Sequence, residues 1–552
     1  MDRSSSSNFR TAILIFAAIA ILFLARLVYL QIIVSDEYSA NAQEARSIGF
    51  TTASHRGTIY DRNGNVLAVS VDSTTVYCNP SEVTDARYEA QMIADVFGGS
   101  YRDYEDILKS DSTMFAYIKR QADVDKAAEL QEMGLDGIYF IGDSRREYPN
   151  GSIGAQVIGI CDVDGNGICG LELQYDDILK GEDGTYSAER GMDGTPIPGG
   201  VHEDVKPIDG EDIMVSLDIK LQSIVEEALE EGVKANDPAL GNSVVLDSET
   251  GEIYAICSYP YLDPYDLEKS EAGSDAVTAI TQAIEPGSVF KTFTALSVLE
   301  ERALSPEDEL YVPSYISADG YVISDAHDRA AQMMTFGDIL DKSSNVGISL
   351  CLNEVGFDKL YDVLGTMRFN EATGVDFPGE IEGIFHDKED LSDAAMYNIA
   401  FGQGIAVTPL QIARAYAIIL NDGVMTQPHF LIAMPQKGEW IEYESSQVIE
   451  DTEALATLRD MLRNVVLNGT GKLADIDGYE VAGKTSTAEI ASEYGGYLNG
   501  VYNLCFTGFI NNSSTPLVCF VGANRVGYEG TMTPVFHEIM SEAIDLYKVV
   551  PE

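Results

Sequence analysis

Basic residues are the first shortage. The 552 residues hold 35 Lys and Arg against 89 Asp and Glu, and with the six His neutral the formal net charge is −54. Nucleic-acid phosphates and anionic lipid headgroups would both be repelled, so no nucleic acid is expected as a partner. Such acidity reads as an adaptation for solubility or high salt and does not specify a fold. Cysteine is sparse as well. Cys78, Cys161, Cys169, Cys257, Cys351, Cys505 and Cys519 are scattered, odd in number and form no C-x-x-C. That pattern implies neither a zinc site nor a disulfide framework, and only Cys161 and Cys169 are considered for pairing. The single tryptophan, Trp440, carries no signal. There is no internal repeat or low-complexity tract, and neither a metal nor a cofactor is expected.

Long apolar runs are limited to one. Residues 1–10 are polar and include Arg3 and Arg10; residues 11–34 are apolar except for Arg26 and Gln31. As a helix this run would span about 36 Å, enough for a bilayer core of about 30 Å. A cleaved signal peptide is the alternative, but Phe23-Leu24-Ala25-Arg26-Leu27 is no small-x-small cleavage site. An uncleaved signal anchor is therefore favoured. Positive charge before it and Asp36-Glu37 after it put the N-terminus in the cytoplasm and residues 35–552 outside. Arg26 lies toward the outer end, where it snorkels or meets a partner's membrane helix. Hydrophobic residues make up 45% of the chain, ample for packed cores, and the length suits two or more domains.

Two stretches imitate known sites. Asp162-Val163-Asp164-Gly165-Asn166-Gly167 opens like a calcium loop, but the twelfth residue is Leu173 and Glu172 falls one early. It reads as a Gly/Asp turn. Gly478, Gly483, Lys484 and Thr485 complete a phosphate-loop expression. A phosphate loop follows a buried apolar strand and opens a helix. Here Leu473-Ala474-Asp475-Ile476-Asp477 precedes, a β-rich stretch follows, and Glu480 would face the phosphates. The nucleotide reading is rejected.

The remaining pattern is regular in places. Arg56-Gly57-Thr58-Ile59-Tyr60 leads to the turn Asp61-Arg62-Asn63-Gly64, with strands expected at 58–60 and 66–69. Asp209-Gly210-Glu211-Asp212 marks a boundary. Beyond it a strand is expected at 213–217, a helix at 219–232 capped by Asp218, and a hairpin with strands at 243–246 and 252–256. In Glu285-Pro286-Gly287-Ser288-Val289-Phe290-Lys291-Thr292-Phe293, Pro286-Gly287 reads as a turn. Phe290, Phe293, Leu296 and Leu299 then recur at helical spacing. Ser288 and Lys291 project from one helix face. A serine hydroxyl needs a base to become a nucleophile, and a desolvated lysine can be neutral enough to serve. Alone, such a pair is more often a solvated helix face.

The rest of the chain lifts it above that reading. Ser288-x-x-Lys291, Ser343-x-Asn345 and Lys484-Thr485-Ser486 resemble, in order and spacing, the motifs S-x-x-K, S-x-N and K-T-G of penicillin-recognising serine transferases and β-lactamases. The single anchor, Arg56-Gly57 with Asp61-Arg62-Asn63-Gly64, and Gly170-Leu171-Glu172 with Tyr175-Asp176 look like the non-catalytic half of class B penicillin-binding proteins. Those are monofunctional D,D-transpeptidases that cross-link peptidoglycan. Thr373-Gly374 to Pro378-Gly379-Glu380, residues 401–411, and Phe506-Thr507-Gly508-Phe509 also look like that family. The resemblance runs from about residue 11 to about 545.

It implies a mixed α+β chain: cytoplasmic tail 1–10, transmembrane anchor 11–34, elongated β-rich pedestal or dimerisation domain 35–212, and transpeptidase domain 213–552. The last would be a serine β-lactamase-like antiparallel sheet flanked by helices. It implies Ser288 as nucleophile on the D-Ala-D-Ala carbonyl of a stem peptide, with Lys291 as its base. Ser343, with Lys484 nearby, would relay the proton to the leaving amine. Asn345 would hold the donor amide, and Lys484 and Thr485 the terminal carboxylate. The backbone N–H groups of Ser288 and Thr487 would form the oxyanion hole. Gly402 and Gln403 would belong to the substrate site. β-Lactams would acylate the same serine. No PASTA repeat and no glycosyltransferase domain is seen, so glycan polymerisation would need a membrane partner. Ser486 departs from the family's usual glycine, and a side chain there is expected to crowd the substrate or shift Thr487. Two rival readings remain: a β-lactamase or β-lactam sensor, for which no deacylating glutamate is found, and a membrane-tethered, catalytically impaired scaffold.

Overall fold

The computed structural model describes residues 4–33, 47–110, 115–189, 202–235, 240–491, 497–527 and 530–551. They fall into two compact units. One comprises residues 1–55, 72–144 and 181–209; the other comprises residues 56–71, 145–180 and 210–552. The division is interleaved in sequence, because two segments before residue 212 pack with the C-terminal portion of the chain.

In the smaller unit the helix Ser4–Val28 continues into a π-helical turn, Tyr29–Ile33, and the two together carry the apolar window Ile13–Ile32, long and apolar enough to cross a membrane. Ser47–Thr52, Gly184–Glu189 and His202–Val205 form a three-stranded antiparallel sheet. Farther along, the strand Ala116–Ala122 pairs with residues 74–78. Helices Ala86–Phe97, Tyr101–Leu108 and Val124–Glu132 contribute Ile93, Leu108 and Leu130 to a core shared with Val76, Ile118 and Ile138. Helices thus share this unit with its strands.

The larger unit is built on a five-stranded antiparallel sheet in the order Ile253–Tyr259, Leu240–Asp247, Leu517–Val526, Tyr497–Asn511, Glu480–Ala491. Side chains alternate across it. Val244, Leu246, Val518 and Phe520 point into one core with Phe290, Phe293 and Tyr416. Val245, Cys519 and Val521 point into another with Leu221, Val225, Phe536 and Ile539 of the helices Ile219–Ala235 and Thr533–Tyr547. The inner part of the sheet is therefore buried on both faces, which is why Leu517–Val526 and Ile253–Tyr259 read as near-continuous apolar runs. Its last strand, Glu480–Ala491, is an edge.

Both expected strands of the 243–256 hairpin form, each longer than its apolar pattern. Asp218 caps its helix, its carboxylate accepting from the Lys220 amide at 3.0 Å. The Asp61 turn forms too, with Asp61 Oδ1 accepting from the Asn63 and Asn65 amides at 2.8 Å each. Ile59 pairs in parallel with Ile213 and antiparallel with Ala68. Arg56 reaches across 116 residues of sequence to the fully buried Glu172 at 2.5 Å, and to Asp176 at 2.6 Å; Arg146 meets the other Glu172 oxygen at 2.7 Å. Cys161 and Cys169 do not pair: all seven cysteines are free thiols. Cys161 lies in an isolated bridge with Gly167, and Cys169 precedes the helix Gly170–Gln174. The Asp162 carboxylate accepts from the amides of Asp164 and Asn166 at 2.9 Å each, so this stretch is the expected turn. Gly483-Lys484-Thr485 lies within a strand, which agrees with rejecting a phosphate loop.

Candidate active site

The Ser288 segment starts with a tight turn. Gly287 adopts φ +57, and Gly287–Phe290 forms one 3-10 turn before the helix Lys291–Glu300. Residues i and i+3 eclipse in such a turn, and Lys291 Nζ lies 2.8 Å from Ser288 Oγ. Phe290 and Phe293 stand either side of Lys291 in the chain and are fully buried, each packed on Phe369. The Tyr416 hydroxyl donates to Val289 O at 3.1 Å. The start of this helix is thereby fixed from below.

A second turn presses on it. The Gly287 amide donates to Gly402 O at 2.9 Å, and the Gly404 amide to Glu285 Oε1 at 2.9 Å. Gly402 has φ +84, and a Cβ there would lie 2.1 Å from Gly287 O. Only glycine allows that approach. Gln403 closes the turn, its amide donating to Asn398 O at 2.9 Å.

Lys291 is wholly buried. Besides Ser288 it meets Ser343, with Nζ 2.6 Å from the carbonyl oxygen and 3.1 Å from Oγ. Ser343 holds φ +56, a left-handed conformation that is costly for a residue with a Cβ. Next in sequence, Ser344 caps the helix Asn345–Val355, Oγ accepting from the Gly347 amide at 2.9 Å. Asn345 Nδ2 donates to Ser324 O at 3.0 Å.

The edge strand supplies the second lysine. Lys484, Ser486 and Ala488 are buried along one face of Glu480–Ala491, whereas Thr487 and Glu489 are exposed. Lys484 Nζ donates to Thr485 O at 3.1 Å, and the hydroxyls of Thr485 and Thr470 lie 2.6 Å apart. Ser486 faces the Ser288 turn. Strand alternation turns its side chain inward, where it is 4% exposed and its Oγ would lie 2.4 Å from a Cβ on Gly287. It lies under that turn instead of projecting with the exposed Thr487.

Burial pushes the Lys291 ammonium well below the ordinary lysine range; the nearby Lys484 charge adds to this and Asp325 opposes it. Burial likewise brings Lys484 down to about 7, against the pull of Asp341. Asp341 is itself pushed up to about 6 by burial. The site thus couples a neutralised amine to a serine hydroxyl, with a second amine that is half-charged near neutrality. That combination suits activation of a hydroxyl beside an anion-binding cation.

The structure brings Lys291 into direct contact with both Ser288 and Ser343. It places Gly402 against the Ser288 turn and Lys484 within electrostatic reach of Lys291. Asn345, Thr485 and Thr487 take up the helix start and edge strand flanking that centre. Asp325, Asp341, Glu285 and Thr470 were not singled out as site residues. Asp325, Asp341 and Thr470 are common residues outside a motif, brought to the site only by tertiary packing, whereas Glu285 stands at the start of the Ser288 stretch itself.

Residues 241–541 match the family model of the penicillin binding protein transpeptidase domain, more than half of the chain. The chain belongs to that family. Residues 51–215 match the penicillin-binding protein dimerisation domain, and the pair of domains is that of class B penicillin-binding proteins. Penicillin-binding protein PbpB of Mycolicibacterium smegmatis is 30% identical, over 99% of this chain and 92% of that protein. Peptidoglycan D,D-transpeptidase FtsI of Escherichia coli is 30% identical, over 96% of this chain and 90% of its own length. Among solved structures, penicillin binding protein 3 of Mycobacterium tuberculosis in complex with aztreonam is similar, with a TM-score of 0.70 and 26% identity, covering 91% of this chain and 98% of that one.

Proposed function

We propose that this penicillin-binding protein is a membrane-anchored peptidoglycan D,D-transpeptidase working through an acyl-enzyme on Ser288. The observation that carries the reading is the buried Lys291 amine 2.8 Å from Ser288 Oγ. Neutral Lys291 takes the hydroxyl proton as Ser288 Oγ attacks the carbonyl carbon of the penultimate D-Ala. The backbone N–H groups of Ser288 and Thr487 hold the resulting oxyanion, an interaction worth several kcal/mol in such sites. Collapse breaks the peptide bond, and the proton passes through Ser343 to the departing D-Ala amine. The amine of a neighbouring stem peptide then attacks the ester and frees Ser288. Lys484 and Thr485 receive the donor's terminal carboxylate, Asn345 its amide, and the Gly402-Gln403 turn borders the donor. Penicillins enter by the same acylation.

In this reading residues 1–10 are cytoplasmic, 11–34 cross the membrane, and the catalytic portion within 213–552 works outside it. The portion within 35–212 serves as the non-catalytic pedestal. A membrane glycosyltransferase supplies the glycan strands. The test follows D-Ala release from a pentapeptide donor with and without a D-amino-acid acceptor. Product joined to the acceptor, absent with Ser288→Ala, supports transpeptidation. Release of D-Ala that does not need Ser288 overturns it.

A further inference from the structure

Among the described residues close to the site, Asp325 makes the densest set of contacts outside the motifs. It follows the short strand Tyr321–Ser324 and its side chain is 11% exposed. Oδ1 accepts from the Val346 amide at 2.9 Å and from Ser344 Oγ at 3.0 Å, and Oδ2 lies 2.9 Å from the same hydroxyl. Its other partner is Arg329, through an ion pair. Arg329 is itself held, donating to Val312 O at 3.1 Å and Pro313 O at 3.0 Å. The preceding carbonyl, Ser324 O, receives Asn345 Nδ2. Two consecutive residues, Ser324 and Asp325, therefore grip three others, Ser344, Asn345 and Val346. Ser343 enters that grip from a left-handed conformation, with its carbonyl and hydroxyl on Lys291.

We propose that Asp325 is a positioning residue for acylation of Ser288: it clamps the turn from which Ser343 and Asn345 serve the site. The inference rests on the reading of Ser288 as nucleophile and Lys291 as base. Three residues follow from the clamp. Ser344 must be the residue with a short hydroxyl, because it bridges Asp325 and the Gly347 amide at the helix start. The residue at 346 must have a backbone N–H to donate to Asp325, which excludes proline. Asn345 stands half-buried at the helix start, its side-chain amide tied to Ser324 O.

The charge has a separate consequence. The charged groups acting on Lys291 are Lys484 from the edge strand, which favours its neutral form, and Asp325, which favours the ammonium. Arg329 partners Asp325, and Asp341 acts on Lys484. Removing the Asp325 charge withdraws support from the ammonium. The acid limb of acylation, on which Lys291 must lose its proton, then moves to lower pH.

The experiment measures the rate of penicillin adduct formation by intact mass across a pH series, for the unmodified protein, Asp325→Ala and Asp325→Asn, with melting temperatures alongside. Asp325→Ala is expected to lose roughly 100-fold in acylation, the scale of a misplaced catalytic group. Asp325→Asn keeps an oxygen for the Val346 amide and recovers most of that rate, with its acid limb displaced to lower pH. If Asp325→Ala does not fold, Asp325→Asn carries the test alone through the displaced limb. Unchanged rates in both variants, or an Asp325→Asn limb that does not move, overturn the proposal while leaving Ser288 as nucleophile. No adduct on the unmodified protein overturns both.

Discussion

The chemistry of the site rests on what burial does to two amines. Lys291 can serve as a base only when neutral, and the same desolvation that neutralises it also draws Lys484 down to about 7. The sign for catalysis follows. As pH rises, Lys291 loses its proton and activation of Ser288 improves. Above about 7 the free protein's Lys484 loses its charge and with it the attraction for a carboxylate. Acylation efficiency with a carboxylate-bearing thioester donor is therefore expected to fall as pH rises past about 7. A donor amidated at that carboxylate should lack the falling limb. Thiol release measured against pH for the two donors checks this, and identical profiles would contradict the role given to Lys484. The motif residues were legible because their chemistry and order are carried by sequence. The orientation of Ser486 was not, since it depends on which face of an edge strand meets Gly287.

At the scale of elements, the nucleophile turn and the Gly402 turn are held at a distance that admits no side chain. A Cβ on Gly402 would lie 2.1 Å from Gly287 O, at φ +84. Gly402→Ala is expected to cost at least about 2 kcal/mol in stability, combining left-handed strain with the steric conflict. It should also slow acylation more than tenfold. Gly438 is the control, with φ +65 and nothing within 4 Å of its added Cβ. Gly438→Ala should lose only about 1 kcal/mol and acylate Ser288 normally. Thermal melts with penicillin labelling read both. The hairpins, the Asp218 cap and the helix after Ser288 were readable because turn residues, caps and helical spacing are local signals. Strand lengths were not. Glu480–Ala491 is held over its full length by pairing with Tyr497–Asn511, a partner that supplies hydrogen bonds whatever the apolar pattern.

At the scale of the molecule, the sequence suggests a division at 212, whereas the compact units interleave. The reason lies in long-range pairs such as Arg56 with Glu172 and Ile59 with Ile213, which join segments far apart in the chain. Periodicity cannot announce such pairs. The charge of −54 shapes the surface, while the reacting centre is assembled from buried lysines shielded from it. The account as a whole depends on one covalent event. Its most direct test is intact-mass spectrometry of the protein after incubation with a penicillin, with the modified residue located by peptide mapping. One penicilloyl group on Ser288, absent from Ser288→Ala, is the predicted result. An unmodified protein, or an adduct that persists in Ser288→Ala, would contradict it.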